Sequence, residues 1–185
     1  MYKYTLFTVV LFSQLFSGYA VGDTISIEHQ NEEFSYCYPS DSLSSTFSLS
    51  EYVGNIIMIE MAASWWGPCQ AHIPVGEAIY ESWKDQVKII HVLDDIYPNA
   101  GPTTCEDWGN YTGGFLDGVQ YPNIDGIPPI IDDGNAHSGD AMILSWFNKP
   151  PDAEGYPMFY IIDQNMVVNT IQHKSLSINS ASYIF

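Results

Sequence analysis

The chain reads as an α/β protein: a central mixed β-sheet flanked by helices, with an N-terminal extension ahead of it and a long irregular insert within it. Three observations predict this. Asn55 to Ala63 is a near-continuous apolar run of strand length, the pattern of a parallel strand covered on both faces. Beyond a short turn, Ile73, Ala78, Ile79, Trp83 and Val87 recur at three- to five-residue intervals, as in a helix with one apolar face. Val87 to Leu93 returns as a second apolar strand, which completes a βαβ unit with a right-handed crossover. Met158 to Ile162 and Met166 to Ile171, joined around Asp163-Gln164-Asn165, predict an antiparallel hairpin that closes the sheet.

Taken in order, residues 1 to 20 read as a secretory signal: Lys3, an apolar stretch from Leu6 to Phe16, and small residues at Gly18 and Ala20, with cleavage expected before Val21. The apolar stretch is shorter than the ~20 residues a membrane span needs, so the mature form is expected not to span a membrane and to be secreted or periplasmic. Residues 21 to 185 are then a single domain, since 46% hydrophobic and 15% aromatic content supply one buried core. Val21 to Phe47 is rich in Ser, Asp and Glu, and its short alternating piece Phe34-Ser35-Tyr36-Cys37-Tyr38 predicts an edge strand or hairpin. Pro68 suits a first helical turn, whereas Pro74, inside the helix, predicts a kink.

From Asp94 to Gly155, Pro, Gly, Asn and Asp punctuate the chain and leave room for turns and two short helices. Thr103-Thr104-Cys105-Glu106 fits a capping box opening a helix through Trp108 and Tyr111. Pro129-Ile130-Ile131 predicts a short strand, and a helix is expected from near Ser138 to Phe147.

The most telling stretch is Trp65-Trp66-Gly67-Pro68-Cys69, followed by Pro74. It has the form of a C-x-x-C redox motif at a strand-to-helix junction with its first thiol missing. Trp66 stands in the place of the exposed nucleophile, and only the resolving position, Cys69, keeps its sulfur. Together with Phe47 to Asn55 before the first strand, the strand to Ser64, and Tyr156-Pro157 ahead of Met158 to Asp163, this stretch resembles the thioredoxin superfamily, specifically the exported TlpA-like redoxins. The resemblance spans roughly residues 45 to 173 and implies a thioredoxin-like fold with thiol–disulfide exchange on protein thiols as the family function.

Residue by residue, the resemblance implies a set of roles. Glu60, nine residues before Cys69, falls where the family keeps a buried acid that exchanges a proton with the resolving thiol. Pro157 is expected to be cis and to face the redox turn. The backbone of Tyr156 would pair with an extended substrate, and Trp65, Trp66 and Tyr156 would form an aromatic lip around a peptide groove. Cys105, in a first helical turn, is the candidate partner for Cys69, with a structural disulfide to Cys37 or a buried free thiol as the alternatives.

Indole cannot attack a disulfide, so no 66–69 bridge forms whatever the redox potential. Three readings of Trp66 stay open: a natural pseudo-redoxin, cooperation of Cys69 with another thiol, and a codon difference, since Cys and Trp codons differ by one base and a selenocysteine codon can be misread as Trp. Whether the chain is an enzyme stays open with them. The rival to thiol–disulfide exchange impaired or rerouted through Cys69 is a redox-inactive module that binds extended peptide segments or proteins.

The formal charge of −17 repels phosphate backbones and argues against nucleic-acid partners. No cofactor is predicted. Cys69 and His72 share a helix face, but two ligands do not make a zinc site. Asp132-Asp133-Gly134-Asn135 and Asp140 depart from calcium-loop spacing. Asn110-Tyr111-Thr112 is a glycosylation sequon only in a eukaryotic source. A peroxidase would need an Arg beside its cysteine, and the chain has none.

Overall fold

The computed structural model describes residues 18–38, 46–94, 105–110, 115–116, 119–120, 128–134, 142–148, 155–174, 176, 177, 179 and 181. The apolar leader stretch, Thr103, Tyr111, Asn135 and Asp140 lie outside them. Among the described residues no helix is long and apolar enough to cross a membrane.

The N-terminal extension forms α1 (Ile27–Gln30), β1 (Phe34–Tyr38) and β2 (Thr46–Phe47), and a 3-10 turn over Leu49–Tyr52 leads into β3 (Ile56–Ala63). Then come α2 (Gly67–Trp83), β4 (Val87–Asp94), α3 (Cys105–Gly109), the two-residue strands β5 (Phe115–Leu116) and β6 (Val119–Gln120), β7 (Ile130–Asp132), α4 (Met142–Trp146), β8 (Met158–Ile162) and β9 (Val168–His173). Seven strands make one sheet in the order β2-β1-β7-β4-β3-β8-β9. β3, β4 and β7 run parallel, while β8, β9, β1 and β2 are added antiparallel at the two sides.

Alternation along the strands divides the core. Ile57, Ile59 and Met61 of β3, with Met158, Tyr160 and Ile162 of β8, face the N-terminal extension and α4. Met58, Phe159 and Ile161 face Val75 and Ile79 of α2. Glu60 lies at an even position of the same strand and so points under α2. That helix is continuous through Pro74. The closing hairpin starts its second strand at Val168 rather than Met166, because the Asp163 carboxylate accepts from Asn165 N and Val167 N and builds a longer turn, with Met166 at φ 62°. The predicted edge strand over Phe34–Tyr38 pairs with both β2 and β7, so the extension widens the sheet.

The segment expected to end the leader is also where the described residues begin. Tyr19 is 5% exposed; its N–H donates to Trp146 O, its carbonyl accepts from Asn148 N, and its hydroxyl bonds Ser26 N and His29 Nδ1. Gly18, at φ 63°, turns the chain where a Cβ would meet Asn148 Oδ1 at 2.8 Å. Cleavage between Ala20 and Val21 would remove all of this. A chain beginning at Val21 is therefore expected to be less stable than one beginning at Gly18 by about 3 kcal/mol, the scale of losing a buried aromatic ring. Equal denaturation midpoints for the two chains would show that Tyr19 contributes nothing.

Candidate functional site

The C-terminal end of β3 delivers the chain to the helix tip. Trp66 N donates to Ala63 O, and Trp66 O accepts from both Cys69 N and Gln70 N, starting the helix; Gln70 Nε2 bonds Ser64 O at 2.9 Å. Trp66 is the N-cap residue and supplies no side-chain cap, as expected of an indole, which donates but does not accept. It is 41% exposed and meets Trp65 edge-on with centroids 5.6 Å apart. A thiol here would sit at the positive end of a 17-residue helix, the setting that favours a thiolate.

Cys69 is placed differently. It lies in the first turn of α2, 1% exposed, within an apolar cluster that includes Ala62, Ile73, Leu93 and Trp108. Burial pushes its thiol up to about 12, the nearby Glu60 charge pushes the same way, and a hydrogen bond with the Ala63 backbone only partly offsets them. Cys105 belongs to the same cluster, but it is bonded to Cys37 across a Cα separation of 5.8 Å, which is within bridging range. The Cys69–Cys105 partnership is thus corrected to a β1–α3 disulfide that leaves Cys69 as a buried free thiol. The chain separates Cys37 and Cys105 by 68 residues, and only the folded sheet brings β1 to α3.

The Tyr156–Pro157 bond is cis. Because Met158 pairs with Met61, Tyr156 and Pro157 extend β8 alongside the end of β3 and reach the helix tip. The Tyr156 ring is half-buried against the Cys69 cluster, and its hydroxyl donates to Asp94 Oδ2. Asp94 ends β4 opposite Ala63. Burial, then the Asp94 carboxylate, push the phenol well above its ordinary range. Neighbouring Asp133 accepts from Ile143 N and Leu144 N at the start of α4; burial lifts it to about 6, against the pull of those N–H groups and with a push from Asp94. Trp65, Trp66, Tyr156, Pro157 and Cys69 therefore share one end of the sheet, with the Tyr156 ring tethered and the Trp66 ring open to solvent.

Glu60 lies beneath this end, 1% exposed. His72 Nδ1 is 2.8 Å from its Oε1, and His72 Nε2 is 2.8 Å from Leu176 O. His91, opposite Glu60 in the β3–β4 register, brings Nδ1 to 3.6 Å from Oε2. A carbonyl and a carboxylate both accept, so a neutral imidazole cannot donate to both; the pair holds one proton more than a carboxylate beside neutral histidine. Burial works against each charge. The mutual attraction overcomes it, holding Glu60 well below the usual carboxylate range and raising His72. The proposed proton acceptor for Cys69 is thus already tied to a cation that the sequence reading did not assign. One signal could have found it: the chain has only five Lys and Arg against five His, so histidine is as numerous a partner for a buried acid as lysine.

Both ring nitrogens of His72 are engaged in this array rather than with Cys69. Asp132 Oδ1 accepts from Gly134 N, and Asn110 bonds Tyr38 and Glu106. Among the described residues no group of three His, Cys, Asp or Glu is arranged to hold a metal.

This sheet order, with a helix tip and a cis-proline at one end, is a thioredoxin-like fold, and comparison with solved structures agrees. The chain is similar to the pneumococcal exposed lipoprotein thioredoxin of Streptococcus pneumoniae, at TM-score 0.53 and 19% identity over 83% of this chain and 96% of that one. A putative protein disulfide isomerase of Bacteroides thetaiotaomicron gives TM-score 0.57 and 20% identity over 89% and 86%. A putative thiol:disulfide interchange protein DsbE of Chlorobium tepidum gives 0.55 and 15% over 89% and 93%. At these identities the likeness is one of fold. No family model matches the chain, and neither does any curated protein.

Proposed function

We propose that this chain is an exported protein of the TlpA-like redoxin lineage whose helix-tip end holds an extended peptide or protein segment and performs no dithiol exchange there. The observation that carries the reading is the contrast at the helix start: an exposed indole at position 66 and a buried thiol at 69 raised to about 12. At neutral pH such a thiol is ionised in about one part in 10⁵. Exchange routed through Cys69 is the weaker reading, because thiolate character and access both set thiol reactivity, and Cys105 is occupied by Cys37. Export rests on Lys3 and the apolar stretch from Leu6 to Phe16.

What remains at the site suits recognition. Trp66 presents a large apolar face, Trp65 backs it edge-on, and Pro157 ends the neighbouring strand without an N–H of its own. An extended segment laid beside Tyr156 would gain backbone hydrogen bonds and one aromatic anchor. The test is calorimetric titration with a reduced, carboxymethylated polypeptide as probe. Trp66→Ala should weaken binding by about 2 kcal/mol, the scale of an aromatic hot spot, while Cys69→Ala should leave it unchanged. Equal affinity of Trp66→Ala and the parent chain would remove the lip from the account.

A further inference from the structure

Among the described residues the large apolar side chains left exposed are Val21, Ile27, Val53, Trp66 and Met142. Two of them stand at one end of the sheet, on its two faces. Trp66 is the N-cap residue of α2. Met142 opens α4, whose Ile143 N and Leu144 N donate to the Asp133 carboxylate. β4 and β7 end between these two helices, and both end in acids: Asp94 closes β4 opposite Ala63, and Asp132 closes β7 opposite Leu93. Ile130 packs into the Cys69 cluster and Ile131 into the layer of α4. Alternation therefore turns the exposed Asp132 to the face of the helix tip and Asp133 to the face of α4.

The cations lie elsewhere. The lysines among the described residues are Lys84, Lys88 and Lys174. Lys88 pairs with Ile57 at the far end of β4, and Lys84, just before that strand, is ion-paired with Glu81. Lys174 follows β9, where its N–H donates to Pro157 O; β8 and β3 separate that flank from β4 and β7. We propose that this end of the fold selects extended protein segments by a basic side chain, lysine or arginine, which lies over the Trp66 indole and reaches towards Asp132, while an apolar neighbour in the segment rests on Met142. The proposal rests on the reading of the helix tip as a peptide-holding site and adds what that site holds. An indole face attracts a cation, and a carboxylate on the same face supplies the complementary charge. The net charge of −17 draws basic segments in from a distance, and Trp66 with Asp132 decides where they stay. An acidic segment meets like charge along the β4–β7 flank.

The test uses two unstructured peptides of equal length and equal aromatic and aliphatic content, one carrying lysine and arginine and the other glutamine in their places. Each is titrated calorimetrically into the full chain. The basic peptide should bind about 10-fold tighter, the scale of one cation–π contact together with one screened charge pair, and added salt should shrink the preference. Asp132→Asn keeps an oxygen for Gly134 N and should cut the preference about threefold, the share of an exposed charge pair. Met142→Ala should weaken both peptides alike. If the two peptides bind equally and both lose affinity in Trp66→Ala, charge selection is overturned and the peptide-holding reading stands. If neither binds, both fall. A basic preference that is unchanged in Trp66→Ala and in Asp132→Asn is attraction to the acidic surface at large, and it overturns the site.

Discussion

Trp66→Cys is expected to convert a chain that is at background in a disulfide-reduction assay into one with measurable turnover. The new thiol would occupy the N-cap position of α2, where Trp66 is 41% exposed and where the helix dipole stabilises a thiolate. Cys69, three residues on and one turn inside, would be the buried resolving thiol, and its high pKa would then delay resolution rather than prevent attack. Because the parent has no nucleophile at this position, the gain should be at least about 100-fold over its background, a conservative share of what nucleophile and acid–base placement supply. A folded Trp66→Cys chain that stays inert would mean that the strand-to-helix junction lacks the electrostatics assigned to it, and the redox ancestry argument would fail with it.

The second large effect concerns stability. Replacing His72 by Phe takes the hydrogen-bonded counter-charge from the buried Glu60 carboxylate, and breaking a buried pair in this way typically costs about 3–5 kcal/mol. The double variant Glu60→Leu with His72→Phe should be less destabilised than the sum of the singles, since no charge is then left without its partner. The same pair dictates a pH profile. His72 is raised above its ordinary 6.5, so its contribution is full below that pH and is lost as pH rises through the higher folded value. Glu60 is held below its ordinary 4.5, so its contribution is present above that pH and is lost as pH falls. The pair is therefore worth most between about pH 4.5 and 6.5. Above that window the folded chain keeps a proton the unfolded chain releases, and stability should fall by up to about 1.4 kcal/mol per pH unit. A flat profile from pH 6.5 to 8.5 in urea unfolding would contradict the charged pair.

What the sequence discloses follows from how local each signal is. β3 and β4 are legible because strands covered on both faces must be apolar throughout, and α2 because its spacing is helical. The redox turn is legible because five adjacent residues carry it. Glu60 is legible as an anomaly, a carboxylate in an apolar strand, yet its partners sit 12 and 31 positions away in the chain, and His91 faces it only once the parallel register is set. The Cys37–Cys105 bond is hidden for the same reason. Tyr19 is not legible as a core residue, because the small residues Gly18 and Ala20 around it read as a cleavage site, whereas its ring is 5% exposed. The hairpin shifted by two residues because a side chain, Asp163, and not the backbone alone, shapes its turn.

The central claim, that this fold keeps no usable sulfur at its helix tip, is tested most directly by following thiolate absorbance of the native chain against pH. With Cys37 and Cys105 bonded, the only free thiol among the described residues is Cys69, and the account predicts no thiolate until strongly alkaline pH, with half-titration near 12. Half-titration at or below about pH 7.5, the range of activated thiols, would contradict it and return Cys69 to the chemistry.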